Sequence, residues 1–334
     1  MNSSKHFIQL LNHLVSFMLY IMLGSFALFS SQISATESIK LPLNNWASQQ
    51  VLTTSIGIML QEDGVRVDYV HMQSHKQWGA LARGAVHFQV EVWSPAMKNS
   101  FAMFPKVLDA GTHNAKVRED WWYPSWVEPL CPGLPDWRAL NACSHIFSTD
   151  NSEIGTYYKG PWDYDDPELI RALRLKFRIE RLKNDTELWQ VLKKAQVSKQ
   201  PIVILNWSPN WTDNKIEGAF VEFPPYSVQC ETDPAHGINK YMTHDCGNPV
   251  RGWLKKAKWT GLESTYPCVN TFLETINFDN EMIIRASILG SNENLTLSQA
   301  AHQWLNEFAK ETQSWFPTEC EISPKLKSNI VSKS

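Results

Sequence analysis

Two Trp-Ser-Pro tripeptides, Trp93-Ser94-Pro95 and Trp207-Ser208-Pro209, each follow a short apolar run that reads as a β-strand: Val86–Val92 and Ile202–Asn206. In open parallel sheets, ligands bind beyond the carboxyl ends of the strands. A tryptophan placed there, with a proline stopping the strand and stiffening its loop, aims a flat ring at whatever enters. The chain carries 15 Trp among 334 residues, with 9 Tyr and 15 Phe besides. Such rings suit sugar faces or cations, and two copies of one element point to a shared cleft. Other chemistries have weaker support. His71, His75, His87 and His113 are scattered, with no Ser or Cys elbow beside them, which argues against a nucleophilic triad. Asp163, Asp165 and Asp166 lie just before Pro167, where a starting helix attracts acids. Arg171, Arg174, Lys176, Arg178 and Arg181 read as a charged surface.

Composition sets the frame for these residues. Lys+Arg is 31 and Asp+Glu is 34, a net charge of −3. That balance speaks against a nucleic acid or an anionic membrane as the main partner. A charged fraction of 19% beside 43% hydrophobic residues fits a folded chain. Near the start, Leu14–Phe29 is an uncharged apolar run, short for a membrane span and followed by small residues up to Ala35. Residues 1–35 thus read as a cleaved secretory signal peptide and the protein as exported to the periplasm. Cleavage removes one lysine and no acid, so −3 becomes −4. All six cysteines follow this segment, an even count suited to an oxidising compartment. Cys131–Cys143 and Cys230–Cys246 are the closest pairs, each closing a loop worth about 3 kcal/mol; the third pair stays open. No zinc-type spacing occurs.

The elements that must position the tryptophans alternate. Strand Ile39–Leu43, helix Ser48–Gln61, strand Val65–Val70, helix Gln73–Arg83 and strand Val86–Val92 form a β-α-β-α-β series, which predicts a parallel sheet. Glu119–Pro135 reads as irregular, rich in Trp and Pro. Then come a helix from Pro167, strand Phe177–Ile179, helix Thr186–Gln196, strand Ile202–Asn206, and helices near Cys268–Ile276 and Leu297–Thr312. The layout predicts an α/β protein of two lobes. A discontinuous lobe I spans 36–112 plus 218–325, lobe II spans 113–217, and the ligand lies in the cleft between them.

Several motifs occur in one order along nearly the whole chain after the leader: Leu43-Asn44-Asn45-Trp46, Val90-Glu91-Val92-Trp93-Ser94-Pro95, Trp121-Trp122-Tyr123-Pro124-Ser125-Trp126, Cys131-Pro132-Gly133-Leu134-Pro135-Asp136-Trp137, Gly160-Pro161-Trp162-Asp163, Asn206-Trp207-Ser208-Pro209 and Gly252-Trp253-Leu254-Lys255-Lys256. In this order the chain resembles the periplasmic substrate-binding proteins of ABC importers for glycine betaine, choline and related methylated amines. It looks most similar to the trimethylamine N-oxide binders, through the Cys131–Trp137 run and Asp245-Cys246-Gly247-Asn248-Pro249.

The resemblance implies a type II-like two-lobe binding protein with no catalytic residues. Its ligand would be a small methylated amine, enclosed by aromatic rings and delivered to a membrane permease; a monomer is expected. A quaternary amine has no N–H to donate, so ring faces must recognise it, at roughly 0.5–2 kcal/mol each. Carried over, the walls are Trp93, Trp162 and Trp207. Trp122 is the fourth wall by its place in the Trp-Trp-Tyr-Pro motif, and Trp46, which opens the first lobe, is expected at the cleft floor or as a backbone contact. Glu128, in the same aromatic loop as Trp122, is the polar candidate, donating to an N-oxide when protonated. Ala47 and Ser48 follow Trp46 where the choline binders carry an acid, which departs from the choline pattern. No cofactor is implied, although Asp233, Asn239 and Asp245 in the Cys230–Cys246 loop are the candidates for a structural Ca²⁺. The competing expectation is an exported Trp-rich glycosidase or carbohydrate-binding protein, which as an enzyme needs two carboxylates across a cleft.

Overall fold

A computed structural model describes residues 38–316. The expected signal peptide at 1–35 and Cys320 lie outside the described residues. Among the described residues no helix is long and apolar enough to cross a membrane.

The first strand, β1 (Ile39–Leu43), leads into helix α1 (Ala47–Glu62), and β2 (Val67–His71) returns parallel to β1. Helix α2 (Ser74–Ala82) then leads to β3 (Phe88–Trp93), every residue of which is buried. The His87 N–H bonds the Lys40 carbonyl at 2.8 Å, bringing the start of β3 beside β1. Helix α1 is buried over most of its length because it lies under α5 (Asn280–Gly290) and α6 (Leu297–Glu307).

Past Phe104 the expected α/β rhythm breaks. Residues Val107–Pro124 form one long strand, β4, including part of the stretch expected to be irregular. Beyond it lie β5 (Gly155–Lys159), α3 (Asp166–Leu173), β6 (Phe177–Arg181), α4 (Asp185–Ser198), β7 (Val203–Ser208), β8 (Gly218–Phe220) and β9 (Gly252–Trp259). The main sheet runs β3-β9-β4-β7-β5-β6, with β8 on β4. β5 pairs parallel with β6 and β7, but every pairing of β4 and β9 is antiparallel, so the sheet is mixed where a parallel one was expected.

β4 belongs to both halves. Its ladder with β9 ends at Val117↔Gly252, and its ladder with β7 begins at Arg118↔Ser208. The change of partner thus falls five residues beyond the expected boundary at 112/113. β8, expected in the first lobe, pairs with the second half of β4. Two disulfides match the expected local pairs, Cys131–Cys143 and Cys230–Cys246, with Cα–Cα distances of 5.5 and 6.3 Å. Cys268 is also disulfide-bonded.

Candidate functional site

A pocket lies where the two halves meet, lined by Trp46, Trp93, Ala96, Met97, Glu119, Trp162 and Trp207. Each ring arrives from the end of an element. Trp46 is the residue before α1, Trp93 ends β3, Trp162 follows β5, and Trp207 lies near the end of β7. The four rings are 3–7% exposed, so each is packed into the protein along most of its surface. Trp162 stands between two others, edge-on to Trp46 at 6.5 Å and to Trp207 at 5.2 Å. It can lie flat against its own chain because residue 160 is glycine; a Cβ there would sit 2.2 Å from the Trp162 ring. Trp189, on α4, backs Trp207 at 4.9 Å and meets Trp211 at 5.5 Å.

Buried indoles need acceptors for their N–H groups. Glu91, inside β3, supplies one oxygen for two of them. Its Oε2 accepts from Trp46 Nε1 at 2.6 Å, from Trp93 Nε1 at 2.8 Å and from Ser48 Oγ at 3.1 Å. One carboxyl thus fixes two walls that are 47 residues apart in sequence. Burial pushes the Glu91 carboxyl up to about 7, against the pull of these three hydrogen bonds.

Glu119 is the carboxyl group in the cavity lining. Its Oε1 accepts from Tyr164 Oη at 2.7 Å and its Oε2 from the Ala96 N–H at 3.2 Å. Burial raises this carboxyl too, to about 7, so that near neutral pH it can present either a proton or a charge. Behind it, Lys159 Nζ lies 4.8 Å from the Tyr164 ring centre and 2.5 Å from Asp166 Oδ2. Asp166 Oδ1 accepts from Trp121 Nε1 at 2.9 Å. Asp166 therefore serves this buried pair while lying in the first turn of α3, where an acid was expected, and Asp165 occupies the N-cap position without a side-chain capping bond.

Two expected site residues lie elsewhere. The Trp122 ring is buried against β8, so close that a Cβ on Gly218 would fall 2.1 Å from it. Its neighbour Trp121 stacks on Tyr157 at 3.8 Å in the core. Glu128 lies on the 3-10 turn Ser125–Leu130, exposed, 3.4 Å from the Tyr123 hydroxyl. The turn carries it away from the cavity, and the carboxyl that reaches the cavity is Glu119.

Sequence reasoning missed Glu119 because its segment read as irregular. A signal was present: Ala115, Val117, Glu119, Trp121 and Tyr123 share one face of β4, with one acid among apolar residues. The calcium candidates are engaged in hydrogen bonds within the protein. Asp233 Oδ1 accepts from Ala235 N, Asn239 Nδ2 donates to the Ala172 carbonyl, and Asp245 Oδ2 accepts from Asn239 N. Among the described residues no group of three or more His, Cys, Asp or Glu is placed to hold a metal ion.

Four aromatic faces and one protonatable carboxyl can surround a small cation or dipole, and the carboxylate pair a glycosidase requires is not in the lining. Residues 37–307 match the model of the substrate binding domain of ABC-type glycine betaine transport systems. The chain is 33% identical over 312 residues to the trimethylamine N-oxide-binding protein of Pelagibacter ubique (strain HTCC1062), covering 90% of this chain and 96% of that protein. Among solved structures it is similar to lactococcal OpuAC in its closed, glycine betaine-bound form, at 17% identity and a TM-score of 0.65, covering 84% of this chain and 100% of that one. It is also similar to an ABC-transporter choline binding protein in complex with choline, at 16% identity and a TM-score of 0.67, covering 85% of this chain and 93% of the other. These likenesses establish the two-lobe α/β binding-protein fold, and the protein is a binder, not an enzyme. The chain belongs to the family of substrate-binding domains of ABC-type glycine betaine transport systems.

Proposed function

We propose that this protein captures a small methylated amine in the tryptophan box of Trp46, Trp93, Trp162 and Trp207 and hands it to the permease of an ABC importer, and that trimethylamine N-oxide is the preferred ligand. The lobes meet at Val117/Arg118, and the protein works outside the cytoplasmic membrane, reached through its leader. The observation that carries this reading is the pairing of four tryptophan rings with Glu119 in the lining of one pocket. The rings suit the trimethylammonium head, which all the candidate ligands share. Glu119 selects among their polar ends. A protonated carboxyl donates to the oxide of trimethylamine N-oxide, a compact acceptor directly on nitrogen. The carboxylate of glycine betaine gains from the same proton but is larger. The hydroxyl of choline calls for the ionised carboxylate. The 33% identity to a trimethylamine N-oxide-binding protein supports the same choice.

With five heavy atoms, trimethylamine N-oxide is limited to roughly 1.5 kcal/mol per atom, which places its best affinity near micromolar. A thermal-shift panel of trimethylamine N-oxide, glycine betaine, choline, carnitine and maltose at pH 6 tests the reading, since a bound ligand raises the midpoint by mass action. The largest rise is expected with trimethylamine N-oxide. A rise with maltose and none with any methylated amine overturns the proposal.

A further inference from the structure

Helix α1 begins on a residue that cannot cap it. Trp46 makes no side-chain capping bond, and the first turn of α1 carries no acid. The free N–H groups of a helix start need acceptors. One acceptor comes from far along the chain: Asp185 Oδ2 accepts from the Ala47 N–H at 2.8 Å. Ala47 lies between β1 and β2. Asp185 lies in the first turn of α4, between β6 and β7, so this bond crosses from one lobe to the other. Asp185 is 6% exposed. Helix α4 does not depend on it for its own start, since Asn184 is the cap there, its Oδ1 accepting from Glu187 N at 2.9 Å.

The same first turns of α4 reach both sides of the box. Trp189 backs Trp207 at 4.9 Å, while Asp185 grips the amide immediately after Trp46. We infer that Asp185 is an interlobe latch, an N-cap for α1 supplied by the opposite lobe, made only when the lobes close and serving to slow ligand release. It holds Trp46 in place against Trp162 without touching the ligand. The inference rests on the proposed function only for the identity of that ligand.

Two variants test it, Asp185→Ala and Asp185→Asn, the second keeping an oxygen that can accept from Ala47. Stopped-flow tryptophan fluorescence with trimethylamine N-oxide should show dissociation about fivefold faster in Asp185→Ala, the size of one lost helix cap, with association unchanged. Asp185→Asn should release within about twofold of the parent. Release from Asp185→Ala at the parental rate, or equally fast release from both variants, overturns the latch. So does a ligand-free melting midpoint that falls in Asp185→Ala as far as the liganded one, because that outcome marks a purely structural role.

A ligand-free arm keeps the two readings separate. Spin labels at Val197→Cys and Met103→Cys, whose native side chains are 88% and 65% exposed, report the interlobe distance. Asp185→Ala should lower the closed population about fivefold, and equal populations overturn the latch. If the parent answers to no methylated amine in fluorescence, the proposed function fails while this arm still decides on Asp185.

Discussion

The Glu119 carboxyl gives the most direct route from geometry to a measured curve. It is pushed up to about 7 by burial, and it lines the cavity beside four tryptophans. An N-oxide oxygen can only accept, so it needs the protonated carboxyl. Because the group's value is raised, the acid form predominates below about pH 7 and is lost above it. If only that form binds, apparent affinity falls by the factor 1 + 10^(pH − 7), hardly changed at pH 6 and about tenfold weaker at pH 8. At pH 7.5 binding should also draw in about three-quarters of a proton, visible as a dependence of the calorimetric heat on the ionisation enthalpy of the buffer. Glu119→Gln keeps a donor, the amide N–H, and removes the titration. Its affinity at pH 6 should stay within a few-fold of the parent, with a flat profile up to pH 8 and no proton uptake. Choline, which needs an acceptor, should show the opposite slope with the parent. The reasoning is refuted if Glu119→Gln retains the tenfold fall, or if the parent profile is flat.

Trp93→Ala removes one wall and should weaken binding at least tenfold by calorimetry while the protein still melts cooperatively, since a desolvated cation–π wall is worth about 2 kcal/mol. Unchanged affinity would mean the ligand lies elsewhere. Glu91, Glu119 and Asp120 are all raised to about 7 by burial, so their contribution to stability is present at acid pH and is lost as pH rises through 7. Ligand-free melting scans should therefore give a midpoint near pH 6 that falls by pH 8.5; a steady rise over that range would contradict the buried state of these groups. Replacing Cys131 and Cys143 together by alanine should cost about 3 kcal/mol, roughly 6–12 °C, and leave affinity within twofold, because neither residue lines the cavity.

Much of this was legible in the sequence, for identifiable reasons. Trp93 and Trp207 follow short buried strands, and the strand-end rule is local: a run such as Phe88–Trp93, with every residue buried, announces both itself and its end. The disulfides between Cys131 and Cys143 and between Cys230 and Cys246 were readable because loop closure is cheap at such separations. β4 was not, since its first half alternates exposed and buried residues while its second half is buried throughout, and a Trp-Trp-Tyr-Pro run resembles a loop. Losing the strand lost Glu119 with it. Trp122 went astray for a related reason. Neighbouring tryptophans on a strand do not share surroundings, and which of them meets a cavity depends on partners such as Gly218 that lie far along the chain. Glu91 stood in a motif noted for its tryptophan, and its three-way hold on Trp46, Trp93 and Ser48 exists only in three dimensions.

The handover of β4 from β9 to β7 between Val117 and Arg118 also sets the leverage of the molecule. A pivot at that point breaks no rung of either ladder, so the swing is resisted by packing and not by the sheet. Glu119 lies two residues from the pivot, about 7 Å along an extended strand, and sweeps an arc of roughly 2 Å for a 20° rotation. Rings at greater radius travel proportionally farther. If the lobes close as proposed, the carboxyl stays nearly stationary in the frame of both, so the polar end of the proposed ligand would settle there first and the tryptophans on the far arm would swing in around it.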